Sequence, residues 1–441
     1  MKPVYFYAPF VLALSIACWG QAEPRSASLS VGDAAAVRLT VDEAVAKALD
    51  GNPEIRAAVR RLSLAQMKTA TARTLDDPMF MVRDWGTPLK QPWDLNQSQL
   101  MFSLQQTFPG RQKLEMRAKL AVDDAGVAAI DLESLRQEVA AETRKLCADL
   151  MRNADEMRLQ ERQRVLLKEA LAVVLAQYTT GKSPQADVLR AQMALTRLSE
   201  QLIELEEERD NASAQLNALR GSSPDDAVEI VGSYRSPGAL PSIEELERTA
   251  MEHRPELAAL RARVAKSSDE GKLVRLAMKP DFTAALGYML MPTGSFSRSA
   301  YMAELSMNLP GLNRKRHDGE AKQADAATEV SQAELDARAS TVFLEIRKAQ
   351  IEVLAAEKRV KLYRDTLLPQ AEASFKASTA AYQNNRAEYM SLIDAQNLLL
   401  DIQTASYKAS AATDAGLAQL ERAIGAPIAT ATNHDVERRI K

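Results

Sequence analysis

Gly181-Lys182-Ser183 carries the three residues that end a phosphate-binding loop, in a chain of 441 residues with little other recognisable chemistry. A loop of the form G-x-x-x-x-G-K-[ST] also needs an earlier glycine and a preceding buried strand, so that backbone N–H groups wrap the phosphates. Ala176 stands where that glycine should be, and the residues before it read as helix. A structural role fits better. Gly181 suits a helix C-terminus, where positive φ is cheap for glycine, and Pro184 suits the first turn of the next helix. The stretch is expected to be a helix-turn-helix tip with no nucleotide.

The remaining reactive side chains do not gather. Three histidines (His253, His317, His434) and two cysteines (Cys18, Cys147) show no zinc-type spacing and predict no disulfide. With no convergent His, Cys or carboxylate set, neither an enzyme nor a bound cofactor or metal is expected. The net charge is −3, with both signs interspersed, so the basic face that nucleic acid needs is missing. Methionines cluster near the predicted strands (Met79, Met81, Met101, Met289, Met291, Met302, Met307). Thioethers bind soft Cu(I), but methionine also fills gaps, and the sequence leaves both readings open.

The elements that frame these residues begin after an apolar leader. MKPVYFYAPFVLALSIACWGQA has one lysine, an apolar run and the small-x-small ending Gly20-Gln21-Ala22, which predicts a secretory signal over residues 1–22. Lipidation at Cys18 is the alternative, although Ser15 stands where a lipobox usually has Leu. No later stretch reaches the roughly 20 apolar residues of a membrane helix.

Three unlike landmarks then recur at nearly one offset. Asn52-Pro53-Glu54 returns as Arg254-Pro255-Glu256, Phe108-Pro109-Gly110 as Leu309-Pro310-Gly311, and Tyr178 as Tyr382. The chain is therefore a tandem duplication of whole modules. In each half, apolar residues at spacings of three and four predict long coiled-coil helices: Leu132, Leu135, Val139, Thr143, Leu146 and Leu150 before the first tip, and Leu195, Leu198, Leu202 and Leu205 after it. Gly110 to Gly181 contains no proline, which allows one unbroken helix; the matching run from Gly311 to Asn385 should bend at Pro369.

Before each Pro-Gly the period changes to two. Tyr301, Ala303, Leu305, Met307 and Leu309 oppose Met302, Glu304, Ser306 and Asn308, and Leu100, Phe102 and Leu104 oppose Ser103, Gln105 and Thr107. With upstream partners in PMFMVRDWG and PDFTAALGYMLM, each half gains one hairpin, giving four strands in all. Four strands with one apolar face cannot close a barrel, and open edges in lipid would cost several kcal/mol per unpaired group. Strands of about 10 residues with this alternation suit an outer-membrane barrel completed by other copies; a small soluble sheet capping a bundle is the alternative.

In this order (secretory start, duplicated helix, hairpin, Pro-Gly, long helix, tip and helix, with Y-x-x-G-x-x-x-x-x-D-V-L at the first tip), the chain resembles the TolC family of outer-membrane efflux channels. The resemblance runs from Leu39-Thr40-Val41-Asp42-Glu43-Ala44 to Ile424-Gly425-Ala426-Pro427. It implies a mainly α fold with a small β part: long helical hairpins form a helical barrel, and two β-hairpins per protomer share a 12-stranded transmembrane β-barrel in a homotrimer. It also implies a passive duct in outer-membrane lipid, docked on a periplasmic adaptor and an inner-membrane pump of RND type.

The expected organisation is a signal (1–22), an N-terminal extension (23–38), a first repeat (39–225) with hairpin 78–108 and tip 179–184, a linker (226–242), a second repeat (243–427) with hairpin 280–309 and tip 383–387, and a tail (428–441). The resemblance makes Gly181, Lys182, Asp187, Val188 and Leu189 of the first tip, and Asn384, Asn385 and Arg386 of the second, candidate adaptor contacts. For Val188 and Leu189 the alternative is that they merely seal the hairpin. Asn385 replaces the glycine usual at the second tip. With the tips aligned on Tyr382, Asp394 matches a carboxylate position that narrows the pore mouth, and Ser391 holds the other position where an acid is often found. Such a ring would have three carboxylates, one per subunit; an exposed helix-surface Asp is the alternative.

LDDPMFMVRDWGTP followed by QQTFPGRQKL is similar to the heavy-metal-export branch of the family, the CusC and CzcC type, which implies metal cations as cargo; drugs and other small toxic solutes are alternatives. The competing class is a secreted or periplasmic coiled-coil scaffold without a pore, which explains the heptads but not the two matching hairpins.

Overall fold

The computed structural model describes residues 37–85, 99–181, 183–291, 299–384, 386, 389–428 and 430–432. Cys18, Lys182 and Asn385 lie outside the described residues, as do most of both hairpin loops.

The first half runs β1 (Val37–Thr40), α1 (Val41–Gly51), α2 (Pro53–Thr71), β2 (Met79–Trp85), β3 (Gln99–Phe108), α3 (Arg111–Thr179) and α4 (Gln185–Arg220). Two short strands follow, β4 (Val228–Val231) and β5 (Arg235–Pro237). The second half repeats the plan with α5 (Ile243–His253), α6 (Pro255–Leu276), β6 (Phe282–Leu290), β7 (Ser299–Met307), α7 (Arg314–Leu362), α8 (Leu368–Gln383), α9 (Tyr389–Ile424) and a last short strand, β8 (Thr430–Thr432).

The duplication extends to the caps. α1 and α5 both start in capping boxes, Thr40 with Glu43 and Ser242 with Glu245, which satisfy orphan N–H groups reciprocally. α2 and α6 each begin with proline, whose missing N–H costs nothing in a first turn. Gly221, which caps α4, has φ +65°, and a Cβ there would lie 2.3 Å from the Gly51 carbonyl oxygen. Gly425, after α9, has φ +72° and abuts Arg254 in the same way. Both sites combine a left-handed backbone with no room for a side chain.

α3 is unbroken over 69 residues, about 104 Å at 1.5 Å per residue. Its seam buries Leu132, Val139, Thr143, Leu146 and Leu150; residues of α1, α2 and α4 pack on the four aliphatic ones, and α6 and α9 also contact α3. The matching run in the second half is interrupted by a π-helical turn at Tyr363–Leu367, just ahead of Pro369. Proline at 369 cannot donate, and widening the preceding turn absorbs the missing bond. Three apolar clusters hold the half-repeats together. One packs Leu246, Leu257, Val342, Ile346 and Leu420, a second Leu39, Leu146, Cys147 and Leu216, and a third Ile55, Leu132 and Val139.

The reading of four strands in all undercounts. Among the described residues there are eight, because β1 pairs in parallel with β4 and β5 pairs antiparallel with β8. These strands have three or four residues, too few for alternation to register in a sequence. Residues 226–242 thus hold strands that pin segments from both ends of the described chain. Arg235 reinforces the clamp: its guanidinium reaches Asp414 at 2.6 Å and Glu421 at 3.0 Å on α9, and Arg144 of α3 reaches Glu421 at 3.2 Å. Next to it, burial and the Asp155 carboxylate push the Tyr234 phenol well above its usual range; its hydroxyl donates to Asp155 at 2.9 Å.

Candidate functional site

The length of α3 separates two places of interest, a β-sheet at one end and the helical tips at the other. The sheet has the order β2-β3-β6-β7, all antiparallel, with the two hairpins joined by β3 against β6. One face carries Phe80, Val82, Phe102, Leu104, Leu286 and Leu305, in register across the strands. It is left open: Tyr301 is 90% exposed, Leu305 76% and Leu286 70%. Phe80 stacks with Phe102 at 6.5 Å, and Tyr301 tilts against Tyr288 at 5.5 Å. The other face carries Arg83, Gln99, Ser103, Gln105 and Glu304 among methionines, and here Met101, Ser103 and Ala285 are buried. These strands contact chiefly one another, and tighter packing on this face than on the other is what a sheet curled toward it would give, so it is called the concave face. The outer edges of β2 and β7 have no strand partner among the described residues.

At the first tip α3 ends at Thr179, and Gly181 takes φ +69° while its N–H donates to the Tyr178 carbonyl at 3.0 Å. Pro184 is the N-cap of α4 and lies just outside its first turn, with extended backbone; the expected place inside that turn belongs to Gln185. Asp187 accepts from the Ser183 hydroxyl at 3.1 Å and sits where a helix N-terminus favours a negative charge. Val188 is buried, whereas Leu189 is 51% exposed. The two apolar residues therefore differ: Val188 faces the hairpin and Leu189 faces out.

At the second tip Asn384 donates from both its backbone and its side chain to the Ala380 carbonyl, at 3.2 and 2.7 Å, and the Arg386 N–H reaches the Ala381 carbonyl at 2.8 Å. Both side chains are exposed. The tips are neighbours: the Gln177 amide donates to the Tyr382 hydroxyl at 3.5 Å. Asp394 lies early in α9 and is exposed, as is Ser391 one turn before it. Behind Asp394, Gln396 is buried and donates to Gln163 of α3 at 3.0 Å. Sequence reasoning misses that polar pair, although Gln163 interrupts the α3 seam between Leu159 and Leu167. A groove of about 430 Å³ opens beside it between α4 and α9, with Arg190 and Arg197 on one wall and Asp401 on the other.

No trio of His, Cys, Asp or Glu among the described residues could hold a metal ion, and no described helix is long and apolar enough to cross a membrane. The lipid-length feature is the sheet.

The profile of outer membrane efflux proteins matches residues 44–222 and 246–426, one match in each half. The chain belongs to this family, the TolC-type efflux channels. This efflux protein is 20% identical over 365 residues, 83% of its length and 85% of the relative's, to the cobalt-zinc-cadmium resistance protein CzcC of Cupriavidus metallidurans. Its fold is that of the outer membrane protein VceC of Vibrio cholerae (TM-score 0.71, 17% identity, covering 88% of this chain and 97% of that one). It is also that of CusC (TM-score 0.72, 14% identity, covering 88% and 92%). The protein is thus a non-enzymatic transport protein, an outer-membrane channel with a periplasmic helical part, and the TolC-family resemblance holds. Channels of this family form trimers within tripartite efflux systems.

Proposed function

We propose that three copies of this chain form the exit duct of a tripartite efflux system. The observation that carries this reading is the four-stranded sheet with one open apolar face and two edges that have no strand partner among the described residues. Three such sheets joined edge to edge make a 12-stranded barrel whose apolar faces meet lipid and whose concave faces enclose a polar lumen. The long helices continue the lumen through the periplasm. The two tips then face the inner membrane, where Gly181, Lys182, Asp187, Leu189, Asn384, Asn385 and Arg386 meet a periplasmic adaptor that couples the duct to an inner-membrane pump of RND type. Val188, buried, supports that surface from behind. Asp394, exposed on α9, supplies one carboxylate per subunit to the pore mouth and favours cations.

Heavy-metal cations are the cargo this reading favours, supported by the relationship to a protein named for cobalt, zinc and cadmium resistance. The scaffold alternative leaves the apolar sheet face without a purpose. Fractionation tests the reading: the protein should enter the outer membrane as an extraction-resistant trimer, and a deletion strain should lose resistance to metals rather than to dyes and detergents. A water-soluble monomer would refute the duct, and a strain sensitive only to dyes would refute the cargo.

A further inference from the structure

Registering the four strands sorts their apolar side chains by chemistry as well as by face. Every branched aliphatic residue in them (Val82, Leu100, Leu104, Leu286, Leu290, Leu305) points to the lipid-facing side, while five of the six methionines (Met79, Met81, Met101, Met289, Met302) point to the concave side. A water-filled lumen is ordinarily lined by polar residues. Hydrophobicity alone would not send methionine inward and leucine outward.

The five are contiguous. Met101 and Met289 are directly opposite on the central strand pair, where Cβ atoms approach to about 5 Å. One step along, Met81, Ser103, Gly287 and Met302 form a single row. Gly287 makes a notch in that row: a Cβ there would meet Phe102 O at 2.9 Å, Ser103 Cβ at 3.2 Å and the Met302 methyl at 3.4 Å. The Met302 methyl therefore lies over the notch, one row from the Met101–Met289 pair. The Gln99 amide donates to the Met289 sulfur, and the Arg83 guanidinium to the Met81 sulfur at 3.4 Å. Both sulfurs are thus already held by a donor, and a cation would take Met289 in place of the Gln99 amide; Met101, Met289 and Met302, adjacent across β3, β6 and β7, form the centre of the patch.

The geometry points to a soft-cation site in the barrel lumen, in which Met101, Met289 and Met302 of each protomer bind Cu(I) or Ag(I) through thioether sulfur. Thioethers are neutral, soft donors that select such d10 monovalent cations over harder divalent ones. A site built only of thioethers also exchanges its ion readily, as a conducting path requires. The inference rests on the duct reading for the placement of the concave face.

The test uses the trimer with Cys147→Ser, which removes the buried thiol as a competing ligand, in planar bilayers bathed in potassium nitrate. Silver nitrate should reduce potassium conductance. The combined M101L, M289L and M302L substitutions should leave conductance without silver intact and demand on the order of tenfold more silver for the same block. An unchanged silver response in that variant overturns the site, as does a parent channel indifferent to silver. Should the triple variant not assemble, X-ray absorption at the silver edge on the parent decides: sulfur neighbours support the site, and oxygen or nitrogen neighbours alone overturn it. Conductance in plain potassium nitrate reads the duct separately, so a failure there is distinct from a failure of the silver site.

Discussion

Arg254 does for the second half what Asn52 does for the first. The Asn52 amide donates to the Leu219 carbonyl at 3.1 Å, and the Arg254 guanidinium donates to the Ala423 carbonyl at 3.1 Å. Each ties the break between two helices to the end of the returning helix. Duplication has kept the donor and changed the residue. Asn52 also accepts from the Glu54 and Ile55 N–H groups at 2.8 and 3.0 Å as the cap of α2, a task that Arg254 does not perform for α6. Asn52→Ala is therefore expected to cost about 1–2 kcal/mol, the upper range for losing a cap. Helix melting followed by circular dichroism should show the lowered midpoint, and Asn52→Asp, which keeps the acceptor, should recover part of it.

Arg254 instead anchors carboxylates, and this sets a pH dependence. It reaches Glu256 at 2.8 Å and Glu345 at 2.7 Å, and Arg338 reaches the same two at 2.6 and 2.8 Å. Burial alone would raise both carboxyls, but the hydrogen bonds and charges of the two arginines outweigh it and hold them below their ordinary 4.5. A folded-state value below the unfolded one means that the stabilisation is complete above pH 4.5 and is lost as pH falls through the folded-state values. The melting midpoint should thus fall on acidification below that point, and less steeply in Glu256→Gln than in the parent.

Two glycines should respond with opposite signs to alanine. Gly126 lies inside α3, and a Cβ added there would meet nothing within 4 Å, so Gly126→Ala should stabilise by about 0.5–1 kcal/mol. Gly221→Ala meets both a positive φ of +65° and the Gly51 carbonyl at 2.3 Å, and should destabilise by more than about 1 kcal/mol. Melting midpoints of the two variants measured side by side check the signs.

Cys147 is fully buried beside Leu146 and Leu150, and burial pushes its thiol up to about 12, with the Asp414 charge adding to the shift. Maleimide should leave it unlabelled in the folded protein at neutral pH and label it after denaturation; rapid labelling of the native protein would contradict this packing.

At the tips, neutralising Asp394 should lower cation selectivity toward unity in planar bilayers. Cation selectivity that is unchanged in Asp394→Ala would refute the carboxylate ring.

Much of this architecture could be read from residues because its elements are long. α3 repeats its apolar spacing over 69 residues, and β3 and β7 alternate over 10 and 9, so the periods of helix and strand stand out. β1, β4, β5 and β8 could not be read that way, since a strand of three or four residues owes its existence to a distant partner. Nor could the role shared by Asn52 and Arg254, because nothing in an amide and a guanidinium signals a common acceptor. Of the candidate tip residues, the sequence located the turn but did not separate inward Val188 from outward Leu189. It missed Gln163 and Gln396, whose contact spans 233 residues.

The central claim, that the open edges of β2 and β7 belong together in neighbouring copies, is tested most directly by cross-linking. Within one chain Val82 and Tyr301 lie in the same row, separated by three strand spacings of roughly 4.8 Å each, too far for a disulfide. In a Cys147→Ser background, Val82→Cys is combined in turn with Tyr301→Cys, Ala303→Cys and Leu305→Cys, and each pair is oxidised in outer membranes. The predicted result is a covalent ladder ending at the trimer for the pair that matches the register between protomers. Only monomers for every pair, or a ladder that continues past three, would contradict it.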